Sequence, residues 1–414
     1  MKHNRILLLT APVALLAACG GQTADPAFVN AAPSYAALAM DQTTSDGMAP
    51  AAGALSAALV AAPADAAAMV APDACHPHLF VRTHEVVARV NGHLYKFLAN
   101  VAAAIARRPH LADATEQVWQ FVRRDGVQVR FTITRTDPTH FTWLLELAPP
   151  AGAFVPVFWG DIDRSGASGP HQGTGTMTLD LTALHGVIPT EKAVGTVAAS
   201  FETTATSRRL VVDAQGVAWE IDPVMPDGSM MPASVLTTLE QPRNGHYVYF
   251  REPGKGGSLK IRDQMVFLCP DNPQFKLGDV TLADRWYVAA SGSRHGRADG
   301  RLTGGQLPDQ SPPVDKVVGV TCHQSADDAT MPAETFWLMK EEAADGSTIQ
   351  GWSSATLAVG AVLPDACDPA LNPPSGTVPD LLGPTNDFDF SGVTIAGNAS
   401  LDDPANQPYP FPGM

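Results

Sequence analysis

Positive charge and long apolar runs are scarce in this chain, and each shortage closes off a class of function. The 414 residues carry 27 Lys and Arg against 42 Asp and Glu, a formal charge of −15. Without a basic footprint the chain is unsuited to nucleic acid or to an anionic lipid surface, so no nucleic-acid partner is expected. The leading apolar run, Ile6 to Leu16, is too short to span a bilayer. Gly47 to Ala64 is uncharged, but it consists mostly of Ala, Gly and Pro and closes at Asp65. It reads as linker rather than membrane helix. Catalytic spacings are missing too. Gly166-Ala167-Ser168-Gly169 lacks the G-x-S-x-G order, and Gly351-Trp352-Ser353 echoes it only loosely inside a predicted strand. His84-Glu85 begins like a zinc-protease helix, yet Ala88 stands where the second histidine belongs. A non-enzyme is the expectation.

What is present is concentrated at the start. Lys2 and Arg5 precede the apolar run, and Leu16-Ala17-Ala18-Cys19 ends it. That layout is a secretory signal. Its last four residues resemble the lipobox of bacterial lipoproteins, a likeness confined to the signal. The resemblance implies residues 1–18 as a signal peptide and Cys19 as the acylated first residue of the mature chain. It also implies a membrane partnership through two or more acyl chains, which anchor stably where one does not. Losing Lys2 and Arg5 leaves 25 basic against 42 acidic residues, a formal −17. Gly20 and Gly21 follow the cysteine in place of the aspartate that tends to retain such proteins at the inner membrane. The resemblance therefore implies an exported, lipid-anchored protein and, if the cell is Gram-negative, one at the outer membrane, on its periplasmic or its surface face.

Residues 19–74, rich in Ala and Pro, read as a flexible linker reaching about 40 Å as a coil. Residues 368–414, rich in Pro, Asp, Asn and Gly, read as a tail without a packed core. Residues 75–367, about 290 in number, suffice for one large domain or for two smaller ones with a break near 223–243. Besides Cys19 there are Cys75, Cys269, Cys322 and Cys367, an even set that in an exported protein favours disulfides. Pro72-Asp-Ala-Cys75 and Pro364-Asp-Ala-Cys367 are the same tetrapeptide at both edges of the domain. Because domain termini tend to lie close together, Cys75–Cys367 with Cys269–Cys322 is the favoured pairing of three.

Within the domain, Leu79, Val86, Val90, Leu94, Phe97, Val101 and Ile105 form one helical stripe, with Pro109 as the stop. From Val118 the period becomes two. Val118–Phe121 and Val127–Ile133 flank the hairpin dipeptide Asp125-Gly126. Further strands are predicted at Phe141–Leu147, Phe154–Trp159, Met177–Leu181, Val197–Phe201, Leu210–Val212, Val217–Ile221 and Tyr247–Phe250. The series continues at 259–268, 286–290, 317–321, 336–340 and 349–357. The fold class expected is α+β: an N-terminal helix packed on a large, mainly antiparallel sheet, a meander or half-barrel, flanked by disordered linker and tail.

Two metal sites deserve weighing. Asp161, Asp163 and Ser165 place oxygens at positions one, three and five ahead of Gly166, as calcium loops do, but Gln172 stands where a bidentate Glu belongs. A Gly- and Asp-rich turn between strands is the preferred reading. His76, His78 and His323 lie beside thiols and would suit zinc or copper, although no C-x-x-C or H-x-x-x-H spacing supports them. Arg294, Arg297 and Arg301 concentrate positive charge in what reads as a solvated loop. No cofactor is required by any motif, and Ca²⁺ is the one the chain hints at. The function expected is an anchored, non-catalytic binding or structural module, with a hydrophobic-ligand carrier as one form of it and a protein partner as another. The alternatives are a surface hydrolase whose site assembles from distant residues and a metal- or redox-binding lipoprotein.

Overall fold

A computed structural model describes residues 24–40, 79–218, 240–266, 277–288, 291–303, 316–343, 345 and 347–353. Among these residues fifteen strands form a single antiparallel sheet in which every strand pairs with its sequence neighbours. The strands are β1 (Leu111–Ala112), β2 (Glu116–Val122), β3 (Gln128–Arg135), β4 (His140–Ala148), β5 (Val155–Asp163), β6 (Gly173–Asp180), β7 (Val194–Thr203) and β8 (Arg208–Ala218). They continue as β9 (Arg243–Glu252), β10 (Gly256–Val266), β11 (Leu277–Val288), β12 (Arg294–Thr303), β13 (Lys316–Ser325), β14 (Ala333–Glu342) and β15 (Thr348–Ser353). β8 and β9 flank the stretch 223–243 and pair directly, Leu210 opposite Tyr249, so the described residues on either side of it share one sheet.

Alternation fixes which face is which, because successive side chains in a strand point to opposite sides. Along β3, Val129, Phe131 and Ile133 are buried while Arg130, Thr132 and Thr134 lie between them on the other face. Register carries this inner face across the sheet. One row runs Ile133, Trp143, Gly160, Met177, Ala199, Val212, Tyr247, Ile261, Leu282, Gly300. Large and small residues are interleaved in it for a steric reason. A Cβ on Gly160 would come within 2.1 Å of the Thr176 carbonyl oxygen and 3.0 Å of the Trp143 indole. One on Gly300 would meet Leu79 at 2.6 Å.

The inner face is covered by the chain's own helices: α1 (Pro26–Ala31), α2 (Tyr35–Leu38), α3 (Leu79–Ile105) and α4 (Leu181–Val187). On α3, Phe80, Val101 and Ala104 are wholly buried and belong to the same core as Trp119, Phe131 and Ile133. Phe97 reaches Phe158 of β5 with ring centroids 4.7 Å apart. The helix runs on through Asn91-Gly92, because the Asn91 side chain is committed elsewhere: it accepts from the Met40 N–H at 2.9 Å and donates back to the Met40 carbonyl.

Three expectations are corrected. Residues 24–40, inside the stretch read as flexible linker, are two short capped helices. Asp25 caps α1 with Pro26 behind it, Ser34 caps α2, and Phe28 and Leu38 are buried against the sheet. Phe28 meets Phe141 edge-on at 5.5 Å, and Arg135 donates to Asp25 at 3.3 Å while lying over Phe28. The strand predicted to end at Leu181 ends at Asp180, whose carboxylate accepts from the Ala183 N–H and starts α4. The arginine-rich stretch from Arg294 is strand β12, not a loop, and Arg294 is fully buried.

Candidate functional site

Polar groups enter the inner face where the apolar rows reach β11. The row Tyr249, Leu259 continues into Asp284, Ala298 and Thr321, and the next row reads Arg251, Gly257, Trp286, Gly296, His323. Small residues on either side of Trp286 make room for its ring. A Cβ on Gly257 would stand 2.4 Å from the indole. The Arg294 guanidinium lies 4.6 Å from the Trp286 ring and that of Arg251 5.8 Å, so the ring's electron-rich face meets two cations.

His323 Nε2 and Asp284 Oδ1 are 2.7 Å apart, and both side chains are fully buried. Phe80, from the first turn of α3, stacks on the imidazole with centroids 4.0 Å apart. Its backbone N–H donates to Thr321 Oγ1 at 3.3 Å, so the strand satisfies one of the orphan donors at the helix start. Burial pushes the His323 imidazole below the usual histidine range; Asp284 opposes that shift, and the positive Arg294 adds to it. The ring is then neutral near pH 7, with Nε2–H donating to the carboxylate. A second buried pair completes the cluster: Arg251 donates to Asp328 at 2.7 Å, and Asp328 also accepts from the Gly254 N–H at 3.3 Å.

A carboxylate–imidazole pair beside a cation is the raw material of general acid–base chemistry. Here it lies under Phe80 with no exposed side-chain surface, and the start of α3 is seated on it by the Phe80–His323 stack. The lowered His323 value has a sign. The unfolded chain takes up a proton near pH 6.5 that the folded chain refuses, so stability is complete above that value and falls as the pH drops below it. The fall is at most about 1.4 kcal/mol per pH unit for this one group. Denaturant melts between pH 7.5 and 5 should show this dependence in the native chain, and His323→Gln should lack that share of it. An identical slope in both would refute the assignment.

The other predicted site residues fall apart in space. Asp161 and Asp163 share the outer face of β5. Asp161, however, accepts from Thr176 Oγ1 and lies 3.6 Å from His140 Nε2, whereas Asp163 accepts from the Ser165 N–H at 2.8 Å and its hydroxyl at 3.1 Å. Those bonds hold the Asp163 carboxyl below its ordinary range. Arg164 donates to the Gly169 and Gln172 carbonyls, and Gln172 Oε1 accepts from Ser168, so the loop is a self-bonded turn. Among the described residues no three His, Cys, Asp or Glu side chains gather into a metal-sized group. Cys19, Cys75, Cys269, Cys367, His76 and His78 lie outside the described residues. Cys322, the one described cysteine, is buried on β13 and disulfide-bonded, and no disulfide joins two described residues.

An accessible concavity lies on the opposite, outer face. A groove of about 610 Å³ runs over β1 to β4, floored by Thr132, Thr134, Thr142 and Leu144 and flanked by Gln120. Arg130 grips Glu146 through two bonds of 2.6 and 2.7 Å and stacks 4.2 Å from the Phe154 ring. Trp159, opposite Leu144 on β5, is 38% exposed beside it. Sequence reasoning missed both this groove and the buried cluster. Period two marks faces but does not show which polar residue a partner strand will bury. Comparison of the chain with protein-family models, with curated proteins and with solved structures finds no match.

Proposed function

We propose that this chain is an exported lipoprotein, tethered by acyl chains on Cys19, whose body is a non-catalytic partner-binding module. In this reading the body is a half-barrel of antiparallel strands wrapped on its own helices. The carrying observation is the filling of the inner face: Phe80, Val101, Ala104 and Trp119 have no exposed surface and pack in one core with the sheet. A carrier of hydrophobic ligands needs an enclosed apolar space, and a hydrolase needs its acid–base pair open to substrate. The described inner face offers packed side chains and a buried pair instead. Contact with partners then falls to the outer face and the sheet edges.

The Cys19→Ser chain tests both halves. It should leave the membrane fraction for the soluble one, because the acyl anchor is lost. Titrated with a fluorescent fatty acid, it should show no saturable binding. Stoichiometric saturation would make it a carrier and overturn the module reading, and retention in the membrane would overturn the anchor.

A further inference from the structure

Among the described residues the first edge of the sheet is only partly closed. β1 pairs with β2 at two positions, Leu111 opposite Val118 and Ala112 opposite Gln117. The His110 N–H donates to the Val118 carbonyl at 2.6 Å, and the Asp113 N–H to that of Glu116 at 2.9 Å. Even-numbered residues of β2 therefore turn their backbone groups toward β1, and odd-numbered ones toward β3, as the bond from the Arg135 N–H to the Thr115 carbonyl confirms. By this alternation the N–H and C=O of Gln120 and Val122 point off the edge. The covering strand cannot be prolonged over them. Pro109, next in line, has no N–H to give and is buried as the chain turns in toward α3. There Trp119 Nε1 donates to the Arg107 carbonyl at 3.1 Å. Gln120 is exposed and Val122 is 64% exposed, more than any other large apolar side chain described.

Charge marks the same place. Arg107, Arg108, Arg123 and Arg124 flank the end of β2, in a chain whose formal charge is −15. Arg107 lies 4.0 Å over the Phe121 ring, and Arg123 pairs with Asp125 at 2.9 Å. Arg108 and Arg124 are exposed. Open strand edges are templates for another chain, and proteins usually blunt them. Among the described residues only β1 pairs with this edge, which is bordered by cations and continuous with the outer groove that Gln120 helps to line.

We infer that the exposed edge of β2, at Gln120–Val122, takes up an extended acidic peptide segment of a partner protein by strand addition. Main-chain bonds would form to Gln120 and Val122, alternate side chains would lie in the groove, and carboxylates would face the arginines. The inference rests on the partner-binding reading above and supplies its partner's chemistry.

The probe is a fluorescein-labelled nine-residue peptide alternating glutamate and valine, titrated against the full-length Cys19→Ser chain at low salt. Two isomers are N-methylated at alternate amides, one on the glutamates and one on the valines. A strand added to one edge uses only one set of amides. One isomer should therefore bind like the parent and the other at least tenfold more weakly. The Arg108→Glu/Arg124→Glu chain should weaken the parent at least tenfold, and a lysine–valine peptide should bind at least tenfold less well. Absence of binding by the parent, equal behaviour of the two isomers, or equal binding of the lysine peptide each overturns the inference. Failure here with a flat fatty-acid titration leaves the module reading standing; saturable fatty-acid uptake sinks that reading whatever the peptides do.

Discussion

Phe80→Ala is expected to destabilise the folded chain by about 3–5 kcal/mol, the range for deleting a buried aromatic ring. Two losses combine at this position. The ring is wholly buried, so its transfer energy goes, and a void opens between α3 and the sheet. The void would open against polar neighbours. The ring covers His323 at 4.0 Å and lies 5.9 Å from the Arg294 guanidinium, so its removal loosens the shelter of the His323–Asp284 pair. Guanidinium melts should show a lower midpoint with the slope preserved. Phe80→Leu, which keeps most of the apolar volume, should recover over half of the loss. A change below about 1 kcal/mol for Phe80→Ala would mean that the start of α3 does not seal the inner face.

Arg251→Met should cost a similar amount, about 3–5 kcal/mol, for an electrostatic reason. Arg251 is 1% exposed and Asp328 10%, and the guanidinium is the charged partner of that carboxylate at 2.7 Å. Removing the cation strands a buried charge, which is far worse than never having built the pair. The double variant Arg251→Met/Asp328→Asn separates that cost from lost packing. If the stranded carboxylate is the main term, the double variant should be more stable than Arg251→Met alone. If it is less stable by the full cost of Asp328→Asn, the two residues act independently and the pair is not the reason for the loss.

The predominance of antiparallel strands was legible in the sequence because the chain obeys period two where one face is buried and the other wet. Val127 to Ile133 and Phe141 to Leu147 alternate in this way and became β3 and β4. Legibility failed where local composition and tertiary burial disagree. The 24–40 stretch carries the cap residues Asp25 and Ser34 and the aromatics Phe28 and Tyr35, but its alanine-rich surroundings hid them. Its helices are too short to stand alone and take their stability from Phe141, Asn91 and Tyr95 far along the chain. β12 was hidden for another reason. Gly296, Ala298 and Gly300 are poor strand formers; Gly296 stands opposite Trp286, and a Cβ at Gly300 would meet Leu79 at 2.6 Å. Arg294 reads as solvated in any local window, and only the pairing of β12 between β11 and β13 brings it inside. The candidate surface failed to show for the same reason: groove and open edge are products of register, not of motif.

In the proposed half-barrel the chain's own helix α3 fills the inner side of the sheet. The most direct measurement compares thiol reactivity at two adjacent positions of α3 in the Cys19→Ser background. Ala103 is exposed and Ala104 is wholly buried. A maleimide should label Ala103→Cys in the native protein at least a hundredfold faster than Ala104→Cys, with the two rates converging in denaturant. Comparable rates in the native state would show that this face of α3 is open to solvent, and the proposed half-barrel would be contradicted.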